Sequence, residues 1–162
     1  MRRKDKAVTE LADIETIIRA AAYMTLGMND EGEAYMTPLD FGYESDGRSL
    51  GAVYFHCARS GRKLDLIKRD PRVSLLFVAA DHALVDEGDG SMGCTLNTDY
   101  RSVMALGEAR IIEAEAERLD AIRAVLRQHG CGHLPVAPEN LAKTALVRID
   151  LSSAAGKAYK GK

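Results

Sequence analysis

The sequence predicts a mainly β fold, a six-stranded antiparallel β-barrel with helices at its periphery. Short runs rich in β-branched and aromatic residues alternate with turn-forming Gly, Asp and Asn, a pattern typical of strands. The first of these runs follow one another through tight turns, which connect antiparallel neighbours. Because 162 residues suit one hydrophobic core, we expect a single domain over residues 1–162.

The first part of the chain predicts one helix and three strands. "TELADIETIIRAA" places Leu11, Ile14 and Ile18 at helical spacing, with Thr9 as the cap. "YMTLGMNDEGEAYMTPLDFGYESDG" predicts two strands joined by the turn "NDEG", since Asn, Asp and Gly supply positive-φ positions. After a second turn, "GAVYFHCA" predicts the third strand.

The middle of the chain predicts a short helix and two more strands. "GRKLDLIKRD" has Leu64 and Ile67 three apart and ends at Pro71, so we expect about two helical turns. "RVSLLFVAADHALV" predicts the fourth strand, and the Gly- and Asp-rich "DEGDGSMGCTLNTD" predicts a loop. "YRSVMALGEARIIE" predicts the fifth strand, with a bulge or bend at Gly107.

The last part of the chain predicts a helix and a final strand. "AEAERLDAIRAVLRQHG" has one face formed by Leu119, Ile122 and Leu126 and a C-terminal stop at Gly130. "LAKTA" predicts a helical turn, and "ALVRIDLSSAAGK" predicts the final strand. Six strands with three helices predict a small barrel, and aliphatic residues should fill it because only 6% of residues are aromatic.

The composition disfavours several classes of protein. A net charge of -2 and a pI near 6.1 argue against a nucleic-acid binder or a membrane-surface protein. No segment has the ~18 apolar residues that cross a bilayer, and the basic N-terminus lacks the apolar run of a secretory signal. Three widely spaced cysteines indicate reduced thiols. We therefore expect a cytoplasmic protein without nucleic-acid or membrane partners.

The basic segment "HCARSGRKLDLIKRD" predicts an anion site. Arg62 and Lys63 stand in the first turn of the predicted helix, where free backbone N–H groups and the helix dipole favour a bound anion. Ser60 adds a hydroxyl donor, and Gly61 lets a phosphate approach the backbone closely. The alternative is a solvated basic turn whose charges pair with Asp65, Asp70 or other nearby acids.

The order "AYMTPLDFGYE", "YFHCARSGRKLDLIKRDPRVSLLF", "YRSVMALGEARII" and "ALVRIDLSSAAGK" resembles the pyridoxamine 5'-phosphate oxidase-like superfamily of FMN-binding split barrels. Within it, the opening "MRRKDKAVTE", "PLDFGYE", "YFHCA" and "YRSV" are similar to the branch tied to 5-nitroimidazole resistance. The similarity covers nearly the whole chain. It implies a six-stranded antiparallel split barrel and a homodimer with two FMN molecules at the subunit interface.

The resemblance also implies which residues bind FMN. The strand beside the isoalloxazine ring would supply Met36, Thr37, Pro38 and Leu39. One side of the ring would be closed by Phe55 and His56. The phosphate would be held by Ser60, Arg62 and Lys63. The partner subunit would contribute Tyr100, Arg101 and Ser102.

Two of these residues are candidates for a catalytic role. His56 would donate a proton or stack near the flavin or the substrate, or else it is a histidine hydrogen-bonded in place. Strand alternation puts Phe55 and His56 on opposite faces, so one of them should contact the ring through its backbone. Arg101 would stabilise the reduced flavin as a fixed cation, or else it is an edge-strand cation exposed to water.

Other reactive residues predict no further site. Cys131, His133 and His129 lack the second pair of ligands that a zinc ion needs, so we expect no metal. Cys94 has no neighbouring base and is expected to be a free thiol.

The leading functional hypothesis is an FMN-dependent oxidoreductase that passes electrons from reduced flavin to a small electrophile such as a nitroimidazole. The alternatives are a non-catalytic flavin- or haem-binding module, with His56 or His133 as the haem ligand, and an enzyme like pyridoxamine phosphate oxidase. The last is disfavoured because the later segments, which include Arg148 and Lys157, show no cationic cluster comparable to the basic segment for a second phosphate site.

Overall fold

The computed structural model of the protein describes residues 3–79 and 84–159. Every strand pair is antiparallel, which confirms the mainly β prediction. The strands are β1 (Ala7–Val8), β2 (Ala21–Asp30), β3 (Glu33–Leu39), β4 (Gly42–Glu44), β5 (Ala52–Ala58), β6 (Arg72–Ala79), β7 (Leu84–Asp86), β8 (Leu96–Thr98), β9 (Tyr100–Ile111) and β10 (Thr144–Tyr159). The α-helices are α1 (Leu11–Ala20), α2 (Arg62–Arg69), α3 (Glu115–Gln128) and α4 (Pro138–Ala142). Within the described ranges, no helix is long and apolar enough to cross a membrane.

The predicted count of six strands is not confirmed. Seven strands follow the order β3-β2-β6-β9-β10-β5-β4, β1 pairs with β10 to make an eight-stranded sheet, and β7 and β8 form a separate pair. In the described part of the chain, the path ends at β3 and β4 without closing. The additional strands β1, β4, β7 and β8 have two or three residues each, too few to give a periodic apolar pattern in the sequence. The predicted loop "DEGDGSMGCTLNTD" thus contains β8.

The β2–β3 hairpin is confirmed, but Asn29 and Asp30 belong to β2 and do not supply the positive-φ positions. Glu31 and Gly32 both have positive φ, 54° and 96°, as a two-residue hairpin turn of the favoured twist requires. The side-chain oxygen of Asn29 accepts a hydrogen bond from the Gly32 N–H at 2.9 Å. This turn fixes the register in which Asp30 pairs with Glu33 and Gly27 with Met36.

Helix α1 is confirmed, but its predicted cap is not. Its buried residues are Ile14, Ile17 and Ile18. Glu10 occupies the cap position and makes no side-chain capping bond, so Thr9 lies one residue too early to cap the helix. The helix packs against the core through its isoleucines, which stabilise it without a capping side chain.

Helix α3 buries a different face from the predicted one. Ala121, Ala124 and Val125 are buried, whereas Leu119, Ile122 and Leu126 are only half-buried. The reason is close packing on β4, because a Cβ added to Gly42 would lie 2.6 Å from the Ala124 carbonyl oxygen and closer to neighbouring backbone atoms of α3. Small side chains must face β4 at this separation. Gly130 ends the helix region with φ of 72°, as predicted.

The core lies between the inner faces of the long strands and α1 and α2. Inward positions of β9 alternate strictly, with Val103, Ala105 and Ala109 buried. In the core, the rings of Phe41 and Phe77 contact each other edge to face, with their centroids 5.1 Å apart. Most other core residues are aliphatic, as predicted.

The predicted irregularity at Gly107 is a bulge in the neighbouring strand. The β9–β10 register shifts between Leu151 and Ser153, opposite Gly107 and Leu106. A Cβ on Gly107 would lie 2.6 Å from the carbonyl oxygen of Asp150, so the glycine permits the close approach of the two strands.

Candidate functional site

The basic segment forms the connection from β5 into α2. Gly61 has φ of 135°, and no heavy atom lies within 4 Å of the position of its missing Cβ. Its carbonyl oxygen accepts hydrogen bonds from the N–H groups of Leu64 and Asp65 at 2.9 and 3.3 Å. Because the first N–H groups of a helix have no acceptor within it, the amides of Arg62 and Lys63 lie at the open end of α2. The backbone geometry of the predicted anion site is present.

Two cations of this segment are bound to an acid of the β2–β3 hairpin. Asp30 accepts a hydrogen bond from Arg69 Nη2 at 2.5 Å and one from Arg62 Nε at 2.7 Å. The Arg62 guanidinium also lies 4.8 Å from the centroid of the Tyr35 ring. Two hydrogen bonds hold the pKa of Asp30 below its usual range, the larger effect coming from Arg69 and the next from Arg62. Arg69 further pairs with Glu31 at 3.2 Å.

The alternative of internal pairing therefore applies to part of the segment. Arg62 and Arg69 pair with Asp30, and Arg72 pairs with Asp70 at 2.7 Å. The cleft beside Arg62 is lined by Asp30, Glu31 and Glu33, which give it a negative character. Arg62 thus connects α2 to the hairpin through Asp30, and its predicted contact with a phosphate stays a prediction.

Lys63 is placed differently. It is half-buried, its Nζ lies 5.6 Å from the centroid of the Phe55 ring, and it forms no ion pair with any residue in the ranges 3–79 and 84–159. Ser60, just before the helix, is exposed. Burial raises the pKa of the neighbouring Cys57 thiol, and the positive charge of Lys63 opposes this rise. The Lys63 ammonium, at the start of α2, is therefore not neutralised by an ion pair within the described residues.

The two predicted residues of β5 point to opposite faces of the sheet. Phe55 is fully buried in the core, whereas His56 is exposed and pairs in register with Leu146 of β10. Lys63 lies on the Phe55 side. Within one chain, the His56 side chain is therefore on the other face of β5 from the Lys63 ammonium, and the catalytic role of His56 stays a prediction.

The predicted strand "MTPL" is the outer edge of the sheet. Met36 and Pro38 are exposed on one face, with 61% of Met36 accessible, and Thr37 and Leu39 are half-buried on the other. The Thr37 hydroxyl donates to the Pro38 carbonyl oxygen at 3.4 Å. The exposed edge leaves both backbone and side chains open to a ligand.

The segment Tyr100–Ser102 lies far from Lys63 in the same chain. Phe55 pairs with Val147, which pairs with Ile111, the last residue of β9, whereas Tyr100 is its first. At about 3.3 Å per residue the two ends of this strand are roughly 35 Å apart. The structure does not bring the two predicted halves of the site together within one chain. Their meeting across a subunit interface remains a prediction.

An exposed apolar face was missed by sequence analysis. Met36 pairs with Gly27, Gly27 with Ser74, and Ser74 with Leu106, so Met36 and Leu106 lie in one row across the sheet. Met104 pairs with Leu76 in the next row. Met104 and Leu106 are 61% and 53% exposed. The sequence segments "SLLFV" and "VMAL" could have indicated this face, because apolar residues in them occupy both faces of a strand.

The remaining candidates are Cys131 with its neighbouring histidines, Cys94 and Arg148. Cys131 Sγ donates to the carbonyl oxygen of His129 at 3.4 Å, and among the described residues no group of three His, Cys, Asp or Glu side chains could hold a metal. The Cys94 side chain lies outside what the structure describes. Arg148 donates to Asp150 at 2.7 Å and to the Tyr54 hydroxyl at 3.0 Å, so it is engaged within the sheet.

Comparisons with known proteins agree with this fold. The family model described as pyridoxamine 5'-phosphate oxidase matches residues 10–158. No curated protein matches the chain.

Solved structures give the same result for the architecture. A candidate 5-nitroimidazole antibiotic resistance protein from Bacteroides thetaiotaomicron is 24% identical, with a TM-score of 0.79 over 93% of this chain and 85% of that one. The flavocytochrome Anf3 from Azotobacter vinelandii is 23% identical, with a TM-score of 0.80 over 99% and 72%. A FAD and haem binding protein from Mycobacterium smegmatis is 18% identical, with a TM-score of 0.77 over 96% and 74%. At these identities the similarity shows the fold.

Proposed function

The chain belongs to the pyridoxamine 5'-phosphate oxidase family, and we propose that it is a flavin-binding protein that uses FMN to pass electrons to a small electrophile. The observation that carries the proposal is Lys63, a half-buried cation without an ion pair in the described chain, at the open start of α2. A dianionic phosphate there would accept hydrogen bonds from the first amides of α2 and neutralise Lys63.

The residues around Lys63 fit the phosphate end of FMN. The space at Gly61 is open, Ser60 is exposed, and Arg62 is fixed by Asp30 and Tyr35. Phe55 is buried, so it would contact a ring only through its backbone. We assign the phosphate to Lys63, Ser60 and the helix amides, with Arg62 as the residue that fixes α2.

A homodimer would complete the site. The exposed apolar face around Met36, Val78, Met104 and Leu106 spans neighbouring strands, and such a face on a small protein is typical of an interface. A second copy would bring its Tyr100–Ser102 segment towards the Lys63 end of the first. The flavin supplies the two-electron redox chemistry when bound, and the protein contributes placement, charge and exclusion of water. The electrons would come from an external reductant such as a nicotinamide nucleotide.

A nitroimidazole is the substrate class that we propose first. Support comes from the candidate 5-nitroimidazole resistance protein, which shares the fold. The flavocytochrome and the FAD and haem binding protein support the alternative of a haem- or FAD-containing module. Absorbance distinguishes them, because bound flavin gives a peak near ~450 nm and haem gives a Soret band. A Soret band without flavin absorbance in the purified protein would overturn the proposal.

The test is a titration of the protein with FMN and with riboflavin, which lacks the phosphate. Lys63→Ala should raise the Kd for FMN roughly 10- to 100-fold, the equivalent of a charge-assisted bond of about 1.5–3 kcal/mol. It should leave the Kd for riboflavin unchanged. Lys68→Ala, on the exposed side of the same helix, is the matched control. Equal FMN affinity in the two variants would refute the phosphate role of Lys63.

The shared pocket is tested by mixed dimers. A dimer with Lys63→Ala in one subunit and Arg101→Ala in the other should keep one of two sites at full affinity, since both substitutions then fall in the same pocket. Met104→Glu should convert the dimer to a monomer in light scattering, whereas Leu134→Glu, at an exposed apolar residue away from that face, should not. Dimeric Met104→Glu protein would argue against this interface.

A further inference from the structure

A second group of cations lies at the opposite end of the sheet, around two tyrosines. Lys6 Nζ is 3.5 Å from the centroid of the Tyr159 ring and 5.9 Å from that of Tyr100. Lys157 Nζ is 5.3 Å from the centroid of the Tyr100 ring. The two rings are themselves 6.3 Å apart, with an interplanar angle of 32°. We call these four residues the tyrosine–lysine cluster.

The N-terminal segment is seated on the sheet so that Lys6 reaches this cluster. Ala7 and Val8 pair with Lys157 and Gly156 of β10. Gly156 is buried, and a Cβ at this position would lie 2.7 Å from Val8 Cβ and 3.0 Å from the Val8 carbonyl oxygen. Only glycine permits this approach, and Val8 packs against the core. The position of Lys6 is therefore set by the pairing of β1 with β10.

The cluster adjoins the segment that is proposed to reach the flavin. Lys157 pairs with Ser102, and Tyr159 pairs with Tyr100, in the β9–β10 register. Neither Lys6 nor Lys157 forms an ion pair with a residue of the described ranges. Both ammonium groups lie within 6 Å of the centroid of the Tyr100 ring, and a negative group close to that ring would be attracted to both. The arrangement is complementary to a ligand that gains negative charge.

We propose that Lys6 and Lys157 belong to the flavin site, where they hold Tyr100 in place and favour the reduced cofactor over the oxidised one. This inference rests on the proposed function, in which Tyr100 and its neighbours reach the partner's flavin. Reduction adds negative charge to a bound flavin, so cations fixed nearby bind the reduced form more tightly than the oxidised form. Lys6 is a positioning residue supplied by the N-terminal segment, and Lys157 is supplied by β10.

The experiment measures the Kd for FMN and the flavin midpoint potential in the full-length dimer. Lys6→Gln and Lys157→Gln should each weaken binding of reduced FMN about tenfold relative to oxidised FMN, which lowers the two-electron potential by about 30 mV. Lys4→Gln removes an exposed lysine from the same segment and should leave the potential unchanged. Lys6→Arg retains the charge and should retain the potential, which separates charge from a structural effect of the substitution.

The possible outcomes distinguish the inference from the proposed function. If Lys6→Gln and Lys157→Gln match Lys4→Gln in potential while Lys63→Ala still loses FMN, the inference is wrong and the proposed function stands. If the wild-type protein takes up no flavin at saturating concentration, both are wrong. Should Lys157→Gln fail to fold, the comparison of Lys6→Gln with Lys6→Arg and Lys4→Gln decides the question alone.

Discussion

Replacing Gly42 by alanine should separate helix α3 from the sheet. The new Cβ would lie 2.6 Å from the Ala124 carbonyl oxygen and nearer still to the Ala124 carbonyl carbon and the Val125 nitrogen. All three atoms belong to the backbone, so no side-chain rotation can relieve the overlap. The helix must shift by about 1 Å to restore an ordinary contact distance of roughly 3.5 Å or more between carbon atoms. Such a shift disturbs the packing of Ala121 and Val125.

The cost follows from the size of this overlap. Overpacking a core typically costs about 1–3 kcal/mol, and a backbone-to-backbone overlap should lie at or above the upper end of that range. For a domain of this length, 3 kcal/mol corresponds to a fall in Tm of roughly 6–12 °C. That is a large part of a total stability of about 5–15 kcal/mol.

Urea denaturation and thermal melting followed by circular dichroism would measure the effect. The matched control is Gly93→Ala, because Gly93 has no heavy atom within 4 Å of its Cβ position and its φ is not positive. We expect Gly93→Ala to remain within about 0.5 kcal/mol of wild type. If Gly42→Ala is as stable as Gly93→Ala, the close packing of α3 on β4, and with it our account of why α3 buries its small residues, is wrong.

Two further predictions concern stability. Burial raises the pKa of Tyr43 to about 12, from its ordinary value of about 10. As the pH rises, Tyr43 therefore ionises first in the unfolded chain. The stability from neutral Tyr43 is complete below pH 10 and should be lost between about pH 10 and 12. The loss should approach 2–3 kcal/mol, and urea denaturation across this range should show a flatter profile for Tyr43→Phe; parallel profiles would contradict the assignment. Arg118 is half-buried and donates to three backbone carbonyl oxygens, so Arg118→Met should cost about 2–4 kcal/mol in urea denaturation. Arg127→Met, which removes an exposed pair with Glu44, should cost less than about 1 kcal/mol, and equal losses would refute the distinction.

Local signals in the sequence predicted the elements whose cause is local. The hairpin at "NDEG" was predicted at the right place, although positive φ falls on Glu31 and Gly32 rather than on Asn29 or Asp30, and helix α2 ends at Arg69, two residues before Pro71, because proline cannot continue it. The face of α3 was predicted wrongly for a tertiary reason. Its larger residues suggested the buried stripe, but the distance to β4 is set by Gly42, which lies in a strand too short to recognise.

In the candidate site, too, local features could be predicted from the sequence and tertiary contacts could not. The charge of the segment Arg59–Arg72 is plain in the sequence, and so is the helix start that exposes the amides of Arg62 and Lys63. Which of these cations are paired with an acid is not, because Asp30, the acid that binds Arg62, is 32 positions away in the chain. Only the hairpin register brings Asp30 to α2, and that register distinguishes Arg62 from Lys63.

The position of the exposed apolar face on β9 indicates how two copies of the chain would assemble into a dimer. Met104 and Leu106 lie near the middle of β9, between the Tyr100 end and the Ile111 end that leads to Phe55 and Lys63. A twofold axis through this region makes an isologous contact and exchanges the two ends of the strand. The Lys63 end of each chain would then face the Tyr100 end of its partner, which gives two equivalent pockets. In the proposed dimer, therefore, a single apolar contact at the centre of the sheet would account for both halves of the site, with Lys63 at one end and Lys6 and Lys157 at the other.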